Sequence, residues 1–237
     1  MSKQKFRAAV FDLDGTLLDT LYDLAACADK ALASYGFPGH SMQDYRTYIG
    51  NGIPKLVARA VPPGTSEEDI QRVLKFYLGY YPAHCAEHTR FFPGVEKTIR
   101  TLHERGYLLA VLSNKTEATA KKIIDRYFPD APFCVVWGNN GVRPLKPATD
   151  AGYLLLSELG CEPEEVFYVG DGDTDMEFAS RMGFFAAGAI SHRYTRNSTA
   201  KIPRIHQTTV MFSHLLHQRL PVCSWAAQAC CLRAGPD

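Results

Sequence analysis

The stretch FDLDGTLLDT, residues 11–20, follows the apolar run Ala8-Ala9-Val10 and places Asp12 and Asp14 two residues apart where that run ends. An apolar run of this kind reads as a strand buried on both faces. Two carboxylates crowded at its end repel one another and lose hydration near the core. They form either a solvated turn, for which Asp-Gly is a common signal, or a site that needs both charges. In an extended segment, side chains at i and i+2 point the same way, so both can face one crevice, with Gly15 permitting the sharp turn that follows.

Working outward, three more short apolar runs resemble the first: Tyr107 to Leu112, Phe133 to Trp137 and Val166 to Val169, with a weaker fifth at Phe184 to Ala187. Helical periodicity separates them over Gly94–Arg105, Thr116–Tyr127, Pro147–Leu159 and Asp173–Met182. Strand-helix alternation predicts an α/β, doubly wound, mainly parallel sheet with right-handed crossovers. Between the first and second runs the alternation stops. Residues 20–87 carry only helical patterns, at Leu21–Tyr35, Met42–Ile49, Ile53–Val61 and Glu67–Tyr81. An inserted all-helical domain is therefore expected, joined to a core of residues 1–19 and 88–190 near Asp19-Thr20 and near Cys85 to Phe92.

In such a sheet, ligands bind beyond the carboxyl ends of the strands. The loops expected there hold Asp12 and Asp14; Ser113, Asn114 and Lys115; Arg143 and Lys146; and Asp171 to Asp175. Each has an ordinary reading when taken alone. Asn114 can cap the following helix, Lys146 can be a surface lysine, and Gly50-Asn51-Gly52 can be a turn between two helices. The series Asp171, Asp173, Asp175 lacks the glycine and the final acid of a calcium loop. Neither GxxxxGK[ST] nor GxGxxG occurs, so nucleotide-loop readings have no support. Carboxylates gathered from separate loops call for a cation, and an all-oxygen donor set favours Mg²⁺.

Together these loops resemble the haloacid dehalogenase superfamily of aspartyl-phosphate-forming phosphatases, over roughly residues 6–190. VFDLDGTLLDT resembles its first motif, AVLSNK the second, RPLKPAT the third and YVGDGDTDM the fourth. The helical insertion falls where the family places its type-1 cap. DYRTYIGNGIPKLVARAV, FPGVEKTIRTLHERGY and VRPLKPATDAGYLLLSELG are similar to segments of phosphoglycolate phosphatases. The resemblance implies Asp12 as nucleophile, Asp14 as general acid and base, and Mg²⁺ held by Asp12, Asp171 and the backbone carbonyl of Asp14. It further implies Ser113 on a phosphoryl oxygen, Lys146 offsetting charge, and Asp175 orienting Lys146 or a metal-bound water, with Asp173 solvated. Ser113, Asn114, Gly50, Asn51, Gly52 and Lys55 are the expected substrate contacts. An acid at position 14 fits a phosphatase or phosphomutase, which must protonate an alkoxide, better than a dehalogenase. 2-Phosphoglycolate leads the expected substrates; pyrophosphate, a sugar phosphate or a nucleotide monophosphate are alternatives, as is a non-catalytic binding protein.

Composition is ordinary for a soluble globular protein: 237 residues, 46% hydrophobic, 22% charged, net charge +1. That balance offers no field to recruit nucleic acid or anionic lipid. MSKQKF lacks the apolar region of a signal peptide, and the seven cysteines are scattered without CxxC. A cytoplasmic protein with a small phosphate ester as partner, monomer or homodimer, is expected. Residues 191–237 depart from the rest, with six basic residues against one acid. TTVMF and HLLHQRL suggest a last strand and helix over 208–220. His214, His217, Cys223, Cys230 and Cys231 match no standard zinc spacing, and a divergent or frameshifted terminus explains the change in composition better.

Overall fold

A computed structural model describes residues 6–130 and 132–189. The last strand and helix expected over 208–220 lie outside the described residues, as do the His and Cys positions of the tail. Five parallel strands form one sheet: β1 (Ala8–Phe11), β4 (Leu108–Thr116), β5 (Phe133–Asn139), β6 (Val166–Gly170) and β7 (Phe185–Gly188), in the order β5-β4-β1-β6-β7. β1 is central, with Phe11 paired to Val111 on one side and Val169 on the other. Parallel strands of this kind are covered on both faces. Accordingly Ala9 and Phe11 enter one apolar cluster, and Ala8 and Val10 a second, on the opposite face.

Helices α5 (Val95–Glu104), α6 (Glu117–Tyr127), α7 (Asp150–Leu159) and α8 (Asp173–Met182) connect or flank these strands. α7 starts three residues later than the periodicity suggests. The Lys146 backbone is committed to the Asn114 side chain, and Ala148 N–H closes a turn onto Leu145 O, so this segment cannot join the helix.

Between β1 and β4 come α1 (Leu21–Ala33), α2 (Met42–Tyr48), α3 (Ile53–Ala60) and α4 (Glu67–His84). Capping explains two of the starts: Ser41 and Ser66 each accept the N–H three residues on, at Asp44 and Asp69. α4 runs past Pro82 because a proline in the last turn forfeits only one helical bond. The two crossings between sheet and helices pair with each other as an antiparallel ribbon, β2 (Leu18–Asp19) with β3 (Arg90–Phe91). Two-residue strands leave no alternation to read in the sequence. At the root of the helices, the buried Asp23 carboxylate accepts from the N–H groups of His88 and Thr89 and from the Thr89 hydroxyl. The apolar cluster on one sheet face continues without a break into the insertion, joining Phe11, Leu13 and Leu17 to Leu24, Leu56 and Tyr77.

Candidate active site

β1 and β6 end beside each other, which brings Asp12 and Asp171, each just past its strand, to one edge of the sheet beside Ser113 of the neighbouring β4. The loop after β1 is tied down where it leaves the sheet, since Asp12 N–H donates to Val169 O at 2.8 Å. Gly15 then turns with φ +85°, and a Cβ there would lie 2.2 Å from Asp171 Oδ2. Only glycine lets this loop pass so close to the carboxylate. Gly170 has the same role beneath Asp175, where a Cβ would meet the side chain at 2.4 Å.

Lys146 is buried to 3% side-chain exposure, a costly position for an ammonium unless it is surrounded by acceptors. Its three N–H groups donate to Leu112 O, the Tyr168 hydroxyl and Asp175 Oδ1, each at 2.7 Å. Asp12 Oδ1 lies 3.0 Å from the same nitrogen, yet it is buried and accepts no hydrogen bond, because the three donors are already used. Lys146 therefore lends Asp12 its charge without tying up the oxygen. Burial pushes the Asp12 carboxyl up to about 6, against the pull of Lys146, with Asp175 and Asp14 adding to the rise. Burial also opposes the charge on Lys146, but Asp12 and Asp175 outweigh it and hold that group above its ordinary range.

The expected cation can be tested against these side chains. Carboxylate oxygens of Asp12, Asp171 and Asp175 lie within 4.8 Å of one another, and all three residues are buried. Asp175 commits Oδ1 to Lys146 and Tyr168, and Oδ2 to the Gly172 N–H. With Asp175 so engaged, Asp12 and Asp171 are the carboxylates that would hold a cation, Asp171 also accepting from the Thr16 hydroxyl at 3.5 Å. A hard oxygen set around a buried, unbonded Asp12 Oδ1 fits Mg²⁺.

The Asp14 carboxylate has partners of its own. Thr20 donates to it at 2.7 Å, and Lys115 Nζ lies 2.8 and 3.0 Å from its two oxygens. Its side chain is thus engaged by Thr20 and Lys115.

A cavity of about 60 Å³ opens over these residues. Asp12, Asp14, Ser113, Lys115 and Lys146 line its floor; Leu24, Ile49, Ile53 and Leu56 close it from the helices, with Gly50 and Gly52 beside them. Gly50 and Gly52 hold φ of 125° and 85°, so the turn reading and the lining role coexist.

Three expectations need correction. Asn114 does not cap α6, whose N-cap is Thr116; its amide instead takes both polar groups of the Lys146 backbone. Lys55 sits on the exposed side of α3, outside the cavity lining, because the apolar face of that helix turns Ile53, Leu56 and Val57 inward. Asn51 is also absent from the lining; it donates to the Thr174 hydroxyl and accepts from Arg59, bridging the insertion to α8. Asp173 is exposed, as expected, on the first turn of α8.

Tyr81, Thr20 and Tyr168 are not among the expected site residues, and Lys115 is expected in the loop after the second run without a role. β4 continues through Thr116 with an irregular register between Leu112 and Thr116, and Ser113 and Lys115 both line the cavity.

A family model described as haloacid dehalogenase-like hydrolase matches residues 9–189. A phosphoglycolate phosphatase from Haemophilus influenzae (strain 86-028NP) is 32% identical over 200 residues, covering 81% of this chain and 89% of its own. One from Aquifex aeolicus (strain VF5) is 33% identical over 184 residues, covering 78% and 84%. A crystal structure described as a predicted phosphoglycolate phosphatase from Haemophilus somnus 129pt superposes with a TM-score of 0.80 at 26% identity, over 90% of this chain and all of that one. The chain belongs to the haloacid dehalogenase-like hydrolases, an enzyme with the family's α/β core whose relatives are phosphoric monoester hydrolases.

Proposed function

We propose that this hydrolase cleaves a small phosphate monoester, 2-phosphoglycolate foremost, with Mg²⁺ as its cofactor and an aspartyl-phosphate on Asp12 as its intermediate. The observation that carries the reading is the buried, unbonded Asp12 Oδ1 held 3.0 Å from Lys146, with Asp14 lining the same cavity. Asp12 attacks phosphorus while the bond to the ester oxygen breaks, and Asp14 delivers a proton to the departing alkoxide. Asp14 then takes a proton from the water that hydrolyses the acyl phosphate. Ser113 donates to a phosphoryl oxygen, and Lys146 balances the charge on Asp12 and the phosphoryl group. When bound, Mg²⁺ would be held by Asp12, Asp171 and the backbone carbonyl of Asp14 and would supply further positive charge beside the phosphoryl oxygens.

A cavity closed by Leu24, Ile49, Ile53 and Leu56 over Asp12 supports a small phosphate ester such as phosphoglycolate. The names of the relatives support the same ester. Residues 20–87 act in this reading as the cap that excludes water from the site.

The test is hydrolysis measured with and without Mg²⁺ across phosphoglycolate, pyrophosphate, sugar phosphates and nucleotide monophosphates. Phosphoglycolate should have the highest kcat/KM, and Asp12→Asn should abolish turnover while remaining folded by circular dichroism. Turnover by that variant near the wild-type rate would overturn the mechanism, and a stronger preference for another ester would overturn the substrate.

A further inference from the structure

Lys115 is the second buried lysine of the cavity, with 1% side-chain exposure, and no role in the mechanism above uses it. Its partners account for its placement. Nζ reaches both oxygens of Asp14 at 2.8 and 3.0 Å and donates to the Tyr81 hydroxyl at 2.6 Å. The ammonium also lies 4.8 Å from the centre of the Tyr81 ring, close enough for a cation–π contact. Tyr81 is fully buried on α4, and burial holds its hydroxyl well above the ordinary range, so it stays a neutral acceptor. Three N–H donors thus meet three fixed acceptors, and the ammonium has one stable position.

A buried ion pair is poor evidence for stability, because desolvation offsets most of the attraction. Its geometry is better evidence for orientation. Asp14 has a side-chain exposure of 20%, open to the cavity on one side and held by Lys115 and Thr20 on the other. We propose that Lys115 is a positioning residue for Asp14: it fixes the carboxylate toward the leaving group and balances the charge formed there when the proton departs. The inference rests on the phosphatase reading above and assigns Tyr81 the task of holding Lys115. In the first step the P–O bond breaks, Asp12 bonds to phosphorus, and the Asp14 proton passes to the ester oxygen, leaving a carboxylate that faces the ammonium. A fixed opposite charge stabilises that developing charge without reorganisation.

Leaving-group dependence distinguishes this role from a merely structural one. An alkyl ester such as phosphoglycolate needs the proton, whereas p-nitrophenolate departs readily without it. kcat/KM reports the steps up to loss of the leaving group, so hydrolysis of the aspartyl-phosphate does not mask the effect. Lys115→Met should lose at least tenfold more kcat/KM on phosphoglycolate than on p-nitrophenyl phosphate, since general acid catalysis contributes about 10²–10⁴-fold. Tyr81→Phe, which keeps the packed ring, should show a smaller loss with the same selectivity, and Lys115→Arg should recover part of it. Mg²⁺-induced thermal stabilisation should be the same in Tyr81→Phe and the wild type.

Equal losses on the two esters in both Lys115→Met and Tyr81→Phe would overturn the proposal, as would loss of the Mg²⁺ response in Tyr81→Phe. If Lys115→Met does not fold, Tyr81→Phe decides alone. Wild-type protein that cleaves neither ester would instead overturn the phosphatase reading, and this inference with it.

Discussion

Asn114 holds Lys146 by both polar atoms of its backbone: the side-chain Oδ1 accepts the Lys146 N–H at 2.9 Å, and Nδ2 donates to Lys146 O at 3.0 Å. The contact spans 32 residues and sets the height at which Lys146 Nζ meets Asp12 and Asp175. Asn114→Ala removes both bonds. A net contribution of about 0.5–1.5 kcal/mol per bond predicts a loss of roughly 1–3 kcal/mol in urea unfolding. Turnover should fall by about tenfold or more, because misplacing a charge by about 1 Å costs up to ~10²-fold.

Asp171 is the carboxylate whose removal should silence the metal response while leaving the nucleophile in place. Wild-type protein should gain stability with Mg²⁺, by about 2.7 kcal/mol at a hundredfold excess over Kd. In Asp171→Asn, differential scanning fluorimetry should show little or no shift over the same range. A full shift in the variant would place the cation elsewhere.

Gly15→Ala combines two penalties. The backbone at φ +85° is strained for any residue with a Cβ, by about 1–2 kcal/mol. The new methyl would also meet Asp171 Oδ2 at 2.2 Å, so the carboxylate or the loop must move. The expected outcome is a lowered Tm together with a weakened Mg²⁺ response. Gly64→Ala, strained at φ +83° but with nothing within 4 Å of its Cβ, should lower Tm alone.

The cysteines give a pH-dependent prediction. Burial pushes the Cys27 thiol up to about 12, aided by Asp23. At pH 8 its thiolate fraction is then about 10⁻⁴, against roughly a tenth for a thiol near 9. Iodoacetamide at pH 8 should therefore label the exposed Cys134 well before Cys27, Cys85 or Cys161, read by peptide mass spectrometry. The linkage runs in the same direction. A folded thiol that keeps its proton contributes stability at neutral pH and loses it as pH rises from about 9 toward 12.

The sheet was legible because each buried strand is a short apolar run, and the floor of the site was legible because its acids follow those runs directly. Asp12, Asp171, Lys146 and Asp175 meet as the loop positions suggest. What escaped was set by packing between distant segments. Lys115 looks like a loop lysine until β4 is known to extend to Thr116, and Tyr81 looks like one more apolar position on α4. Lys55 misled for the opposite reason: charge and spacing suggested a ligand, while the apolar side of α3 turned it outward. Asn114 was assigned to its neighbour in sequence, but its partner lies 32 residues away.

The unbroken apolar cluster from Phe11 through Leu17 and Leu24 to Leu56 and Tyr77 bears on how the protein comes apart. The helices inserted after β1 share their interior with one face of the sheet, so neither layer keeps its core when the other is lost. Melting should therefore be cooperative: one calorimetric peak, with ellipticity and tyrosine fluorescence changing together. Excising residues 20–87 would uncover apolar side chains of the sheet layer, and the shortened chain should aggregate rather than fold as a smaller enzyme.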